Sequence, residues 1–461
     1  MEESGLEVVP DEVDALVRSL DEERARSVAG QELEPALTSL YAAHSRAAHK
    51  ATAAALREAK RPDLAAVVAR LRAERAGAGR EEAWRAAEGS ASARGPDGLA
   101  PLADLELAIL REKDRERRLE FGKAAALALE RPAALREAML EARALAGAEV
   151  GVGPDWPAVV SADRLLSESD DAYGEVLAFR ARRDLSLSPS PAGDMRRADL
   201  LHLLALGPWD GLFRRSGLEY AVRATVRSLR LDLDRIRIDE GRRAAQWPGV
   251  HRVGPRLSFR PRGGAGDWQD LLEGLAGALS AAHVPPHRRD PVLGGAMGWL
   301  LGSLVLEPRW LAEHAQVERR VMPDVRRDLA LRRLFALRAK AAALRVAAEV
   351  ERGLSGAAWR QGYREALTRA TGAAWDAVRA SRDGDALEHA AALAGAGAGR
   401  RLREEVRERY DEDWWRNPRA AELWAGLLAA GALPEVREAE GQGGREPAGA
   451  ARELLQVLEG K

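Results

Sequence analysis

The stretch RLSFRPRGGAGDWQDLLEGLAGALSAAHVPPHRRDPVLGGAMGWLLGSLVLE, Arg256 to Glu307, decides how the whole chain is read. It begins with a short run in which Leu257 and Phe259 alternate with polar neighbours, the pattern of a strand. A Gly-rich turn follows. From Trp268 the large apolar residues fall at Leu271, Leu272, Leu275 and Leu279, the spacing of a helix with one face turned inward. Asp267 stands where an N-cap would stand. After a loop containing Pro285 and Pro286 comes a second, strongly apolar helix in which Gly294, Gly298 and Gly302 recur at every fourth position.

Composition extends this reading to the rest of the chain. In 461 residues, 46% are hydrophobic and only 5% aromatic, enough to bury a sizeable core. Ala, Leu, Arg and Glu dominate over β-branched residues, so helix is favoured nearly everywhere and the fold class is expected to be mainly α. Lys plus Arg (71) and Asp plus Glu (72) nearly cancel and are interspersed, which leaves no basic stripe for nucleic acid and no polybasic membrane anchor. Cysteine is absent, which excludes disulfides, thiolate metal sites and a Cys nucleophile and fits a reducing compartment. The acidic N-terminus lacks the regions of a secretory signal. The apolar run Pro291 to Leu306 has about sixteen residues, where a membrane span needs about twenty. A soluble, cytoplasmic protein is expected, with no nucleic acid and no membrane partner.

In chain order, 10–88 reads as long amphipathic helices, one over LEPALTSLYAAHSRAAHKATAAALREA and another over PDLAAVVARLRAERAGAGREEAWRAAE that is broken or bent near Gly77 and Gly79. His44 and His49 lie five apart and so on different helix faces, poor geometry for a shared metal. GSASARGPDGLAP, Gly89 to Pro101, is a loop by composition. GVGPDWP from Gly151 and SLSPSPAGD before Met195 are further breaks. The expected organisation is an N-terminal helical lobe over 1–150, a connecting helix and linker over 151–195, a main lobe over 196–435, and a Gly-rich linker with a short C-terminal helix over 436–461.

From Arg197 the order of motifs resembles the oligopeptidase F and thimet oligopeptidase family of zinc metallopeptidases, of the gluzincin type. The resemblance rests on the collinear sequence of Trp209-Asp210-x-Leu212-Phe213, the strand RLSFRP, Gly263-Gly264, Leu271-Leu272, Ala282-His283-Val284, Pro308-x-Trp310-Leu311 and Trp414-Trp415-x-Asn417-Pro418. It covers roughly Arg197 to Pro434 and implies a large two-lobed helical body around a deep cleft. A small antiparallel β element, with a strand near 256–260, would lie beside the former active-site helix and edge the substrate cleft. Leu257, Phe259, Arg260, Glu273, His283 and His287 would then be cleft-lining candidates.

Laid over this chain, the family's H-E-x-x-H keeps its frame and loses its chemistry. The first ligand His falls on Glu273, the general-base Glu on Gly274 and the second ligand His on Gly277. The third ligand, a Glu in the family, falls on Gly294 or Gly295, and no Asp or Glu lies between Asp290 and Glu307. A catalytic zinc needs about three protein ligands and an open position for water, and a base to take that water's proton. No catalytic residue and no metal ligand is therefore assigned, and zinc, expected in active relatives, is expected to be absent. Where active relatives carry Tyr and Arg facing substrate, this chain reads AALAGAGAG from Ala391 to Gly399.

Replacement by glycine also suggests that the two former metal-bearing helices approach each other more closely than in active enzymes; the alternative is drift at an unused site, where Gly and Ala leave a hollow and a pocket stays open at Glu273. His283, His287 and Asp290 form the chain's His-rich cluster, but Pro285 and Pro286 oppose a regular helix between them, so a metal there is the weaker reading. Gly263 to Asp267 lacks the G-K-[ST] ending of a phosphate loop, and no G-x-S-x-G elbow occurs. The expected function is that of a pseudopeptidase, catalytically inactive, which binds a peptide or a protein partner such as an active homologue. The alternatives are an active metal-dependent oligopeptidase with rearranged ligands drawn from Glu273, His283 and His287, and a purely structural helical scaffold.

Overall fold

The computed structural model describes residues 4–153, 156–187, 194–382, 386–433 and 446–460. Most of SLSPSPAGD, Pro154 and Asp155 of the earlier break, and the Gly-rich linker within 436–445 lie outside the described residues. The fold is mainly α, as the composition requires. The N-terminal helices Val9–Val28, Leu37–Ala43, Lys50–Glu58 and Pro62–Gly89 gather their own apolar core around Val13, Leu16, Tyr41 and Val68. A larger core runs from the long helix Trp156–Leu185 through the middle of the chain to the last helix, Pro447–Leu458, whose Ala450 and Leu454 are fully buried in it.

Several local expectations give way to packing. The segment expected as one helix over 33–59 breaks at His44 and again at His49, whose Nδ1 accepts from Ala51 N–H at 3.2 Å and caps the next helix. That offset buries Tyr41, Ala47 and Ala48 together. Pro62–Gly89, by contrast, is one unbroken 28-residue helix. Gly77 marks a crossing: a Cβ there would stand 3.1 Å from Met139 Cγ and 3.0 Å from Arg143 Cγ of the helix Glu130–Ala148. Gly89 to Pro101 is largely a hairpin, Ser92–Gly95 antiparallel to Gly98–Pro101, turned on Pro96 and Asp97 with Gly98 at φ +110°.

Three more strands position the site. Arg256–Arg260 lies in the middle of a three-stranded sheet, parallel to Arg237–Asp239 and antiparallel to Gly249–Val253. The strand read from RLSFR is thus real but central, and Gly249–Val253 is an edge. From this sheet the chain turns through Gly263 and Gly264, at φ +93° and +76°, into the first site helix, Ala265–His283. Gly264 is the N-cap, and Asp267 sits inside the first turn, where its carboxylate accepts Gly263 N–H at 2.8 Å. The second site helix, Pro291–Gly302, is capped by Asp290, which accepts Val292 N–H at 2.9 Å. Two further helices complete the surroundings, Met322–Glu351 and Ala386–Tyr410.

Candidate functional site

The apolar face of the first site helix is turned inward as its spacing predicts, with Trp268, Leu271, Leu272, Leu275 and Leu279 all buried. Trp268 anchors it, standing edge-on to Phe213 at 5.4 Å and to Trp310 at 5.9 Å between ring centroids. Asp210 of the Trp209–Phe213 segment lies against Gly264, so close that a Cβ there would collide with it. The motif residues on either side of the helix therefore fix its entry point.

On the opposite face lie the positions of the lost motif. Glu273 Oε1 accepts from Gln269 Nε2 at 3.0 Å and stands 3.2 Å from Arg333 Nη2. Arg333 comes from Met322–Glu351 and is 1% exposed. Its guanidinium lies 3.8 Å from the Trp299 ring centroid and donates to the Trp299 carbonyl at 3.2 Å. Burial pulls the Arg333 pKa down to about 10, against the opposing pull of Glu273. One turn earlier, Asp270 is held by Arg332 at 2.8 Å and by Arg262; burial alone would raise its pKa, and the two arginines bring it to about 2.

Side chains from the edge strand, and Leu257 of the central one, occupy the space beside the two glycines. A Cβ on Gly274 would come within 2.8 Å of Val250 Cγ1 and 3.2 Å of Leu257 Cδ2, and one on Gly277 within 2.6 Å of Arg252 Nε. The second site helix closes from the other side. Gly294 faces the Gly277 Cα at 3.7 Å from its would-be Cβ, Gly298 faces the Glu273 carbonyl at 3.1 Å, and a Cβ on Gly302 would collide with the Glu273 side chain. Its far face meets the small-residue run of Ala386–Tyr410: a Cβ on Gly395 would be 2.7 Å from the Gly295 backbone, and one on Gly399 2.6 Å from Ala296 O. Three helices meet backbone to backbone at these glycines, yet the open pocket at Glu273 that counts against a closer packing than in active enzymes is also there.

A cleft of about 730 Å³ nevertheless opens at this point, with Glu273, Gly274, Gly277, Gly294 and Gly295 in its wall. Leu257 and Phe259, expected to line it, are 1% and 2% exposed and belong to the core beneath the first site helix. Arg260 turns away to pair with Asp104 and donates to Gln246 O at 2.9 Å. The cleft is edged by Val250, His251, Arg252 and Val253 instead, because the central strand has neighbours on both sides. His283 ends the first site helix, outside the cleft wall, with Nε2 unpartnered. His287 Nδ1 meets Asp14 at 3.0 Å.

These residues do not fit a zinc centre. Four of the five motif positions have no side-chain donor, and Glu273, the fifth, is engaged by a guanidinium. Glu307, the first acid after Asp290, is 4% exposed and accepts from Arg403 Nε at 2.8 Å. Among the described residues no group of three or more His, Cys, Asp or Glu could hold a metal ion, and no helix is long and apolar enough to cross a membrane. Sequence reading missed Arg252, Trp299 and Arg333. The GVHRV strand had a usable signal, alternation between Gly249 and Gly254, whereas nothing local distinguishes Arg333 from the other arginines of its helix.

No protein-family model matches the sequence, and no curated protein matches it. Solved structures do. PZ peptidase A, solved with an inhibitor, superposes with a TM-score of 0.55 at 11% identity over 98% of this chain and 85% of that one. An oligoendopeptidase F gives 0.52 at 12% identity over 100% and 96%. The oligoendopeptidase F of Bacillus anthracis str. Ames gives 0.52 at 10% identity over 98% and 84%. At such identities the likeness is one of fold: the chain is built like oligoendopeptidase F and PZ peptidase A.

Proposed function

We propose that this chain is a pseudopeptidase: a cytoplasmic protein of oligopeptidase architecture that holds a peptide, or an extended segment of a protein partner, in its cleft without hydrolysing it. The observation that carries the reading is the pairing of Glu273 with Arg333 at the place the resemblance gives to the first zinc ligand. A guanidinium within reach of the carboxylate repels a divalent cation and satisfies the one remaining donor, while the base position is Gly274. Without ligands for a dication and with no base at the motif position, the family's route to an activated water has no residues to carry it.

Binding is supported by the shape of what is left. The cleft is open, and Gly249–Val253 is an edge strand along it, so an extended peptide can add to the sheet through backbone hydrogen bonds. A merely structural scaffold would have filled this volume with its own side chains. An active enzyme with rearranged ligands would need Glu273, His283 and His287 to converge, and each is placed elsewhere or paired otherwise.

The test is zinc content by elemental analysis together with incubation against a quenched fluorescent peptide library. Substoichiometric metal and no cleavage are expected. Near one zinc per chain with chelator-sensitive cleavage would overturn the reading.

A further inference from the structure

A second cavity, of about 750 Å³, lies beside the cleft between the helices Pro62–Gly89, Glu130–Ala148, Met322–Glu351 and Gly356–Thr371. Its wall is mainly apolar: Val67, Leu140, Val346, Val350, Trp359 and Tyr363. Several of the charged groups that reach it are held by partners outside its wall, Glu74 by Arg24 at 3.0 Å, Arg143 by Glu81 at 2.5 Å and His287 by Asp14 at 3.0 Å. Arg70, Glu74, Arg289, Asp290, Pro291 and Leu387 belong to the walls of both this chamber and the cleft, so the two are adjacent and share one wall. At their junction Leu387 is 42% exposed, a large apolar side chain left facing water.

A mainly apolar cavity of this size that opens to solvent has the dimensions and character of a ligand site. We infer that the chamber receives the apolar end of the peptide whose extended part lies along Gly249–Val253, so that the ligand class is a peptide with aliphatic or aromatic residues clustered at one end. This rests on the peptide-binding reading above and adds a specificity to it. A peptide is favoured over a free acyl chain because the chamber adjoins a polar cleft with an edge strand, which offers main-chain partners an acyl chain cannot use. Arg70 and Arg289 at the junction are already matched, to Glu74 at 3.7 Å and Asp21 at 3.8 Å.

The experiment is calorimetric titration of the full chain with two blocked octapeptides. One ends in three leucines after a polar stretch; in the other, serines replace the leucines. The leucine peptide should bind at least tenfold more tightly, since burying one aliphatic side chain is worth about a factor of ten or more. Ala347→Phe, which narrows the chamber from its half-buried wall, should erase that preference and leave the serine peptide unchanged; Ala144→Leu is a milder second variant, and circular dichroism checks that both are folded. Equal binding of the two peptides, with no effect of either variant, would overturn the chamber while leaving the cleft reading intact. Binding of decanoate but of neither peptide would overturn both. Cleavage of the leucine peptide, seen by mass spectrometry, would sink the non-catalytic reading while the chamber's preference could still be measured.

Discussion

Arg333 and Glu273 face each other across 3.2 Å, with the guanidinium stacked on Trp299 and the carboxylate steadied by Gln269. The arginine is 1% exposed, whereas the glutamate side chain keeps 33% of its surface. The pair therefore stabilises chiefly by giving a buried cation its counter-charge. Glu273→Gln should lower stability by about 1–2 kcal/mol, between the values for exposed and for fully buried pairs because solvent screens the glutamate. The double variant Glu273→Gln, Arg333→Met should recover most of the loss, since it leaves no buried charge. Urea unfolding of the four members of the cycle measures the coupling; additive effects would show that the pair is not coupled.

Restoring the motif letters should not restore a metal site. In Glu273→His, Gly274→Glu, Gly277→His, the new side chains meet Val250 at 2.8 Å and Arg252 at 2.6 Å already at Cβ. Arg333, with no counter-charge left, would stand beside any bound zinc. At about 4 Å and an effective dielectric constant of about 20, a dication and a guanidinium repel by roughly 8 kcal/mol. The triple variant is expected to be less stable than the parent and to take up no stoichiometric zinc in equilibrium dialysis. One tightly held zinc would show that the strand and Arg333 can yield.

The glycine interlock predicts opposite signs for two helical glycines. Gly395→Ala places a methyl 2.7 Å from the Gly295 backbone and should cost about 1–3 kcal/mol, the range for overpacking a rigid core. Gly426, in the helix Ala420–Ala430, has nothing within 4 Å of a would-be Cβ. Gly426→Ala should gain about 0.5–1 kcal/mol from helix propensity alone. Thermal melts of the two variants side by side decide the matter; a neutral Gly395→Ala would mean that the helices separate readily.

Acid should unfold the protein through its buried carboxylates. Burial alone would raise Glu106, but Arg197 at 3.0 Å and Arg379 outweigh it and hold its pKa at about 2, below the ordinary 4.5. A depressed folded-state pKa means that the unfolded chain binds the proton more readily. The stabilisation is therefore complete above about pH 4.5 and lost as pH falls toward 2, by about 3 kcal/mol for this one group. Asp270, also at about 2, acts in the same window. Melting temperature should begin to ease below about pH 6.5, where the unfolded chain protonates His202 and His314 more readily than the fold, whose burial lowers both pKa values, and should drop more steeply below about 5. Glu106→Gln should be less stable at pH 7 and show a shallower fall.

What the sequence determined by itself is local or a matter of residue identity. Helix formers throughout make the chain mainly α, and the spacing from Trp268 to Leu279 sets which face of the first site helix is buried, because side chains three and four apart share a face whatever surrounds them. The replacement of the expected ligands by Glu273, Gly274 and Gly277 needed no structure either, since glycine cannot ligate a metal or accept a proton through a side chain. Tertiary structure decided the rest. Gly77 looks in sequence like a helix-breaking glycine, yet it lies inside an unbroken helix where another helix comes close, and only the partner's position tells these cases apart. Leu257 and Phe259 alternate as a strand should, but whether that strand edges the cleft depends on Gly249–Val253 pairing outside it. Arg333 is one arginine among several on its helix until folding carries it to Glu273, and the apolar chamber has no residue that announces it. Each of these depends on segments far apart in the chain meeting at particular distances, which local periodicity does not encode.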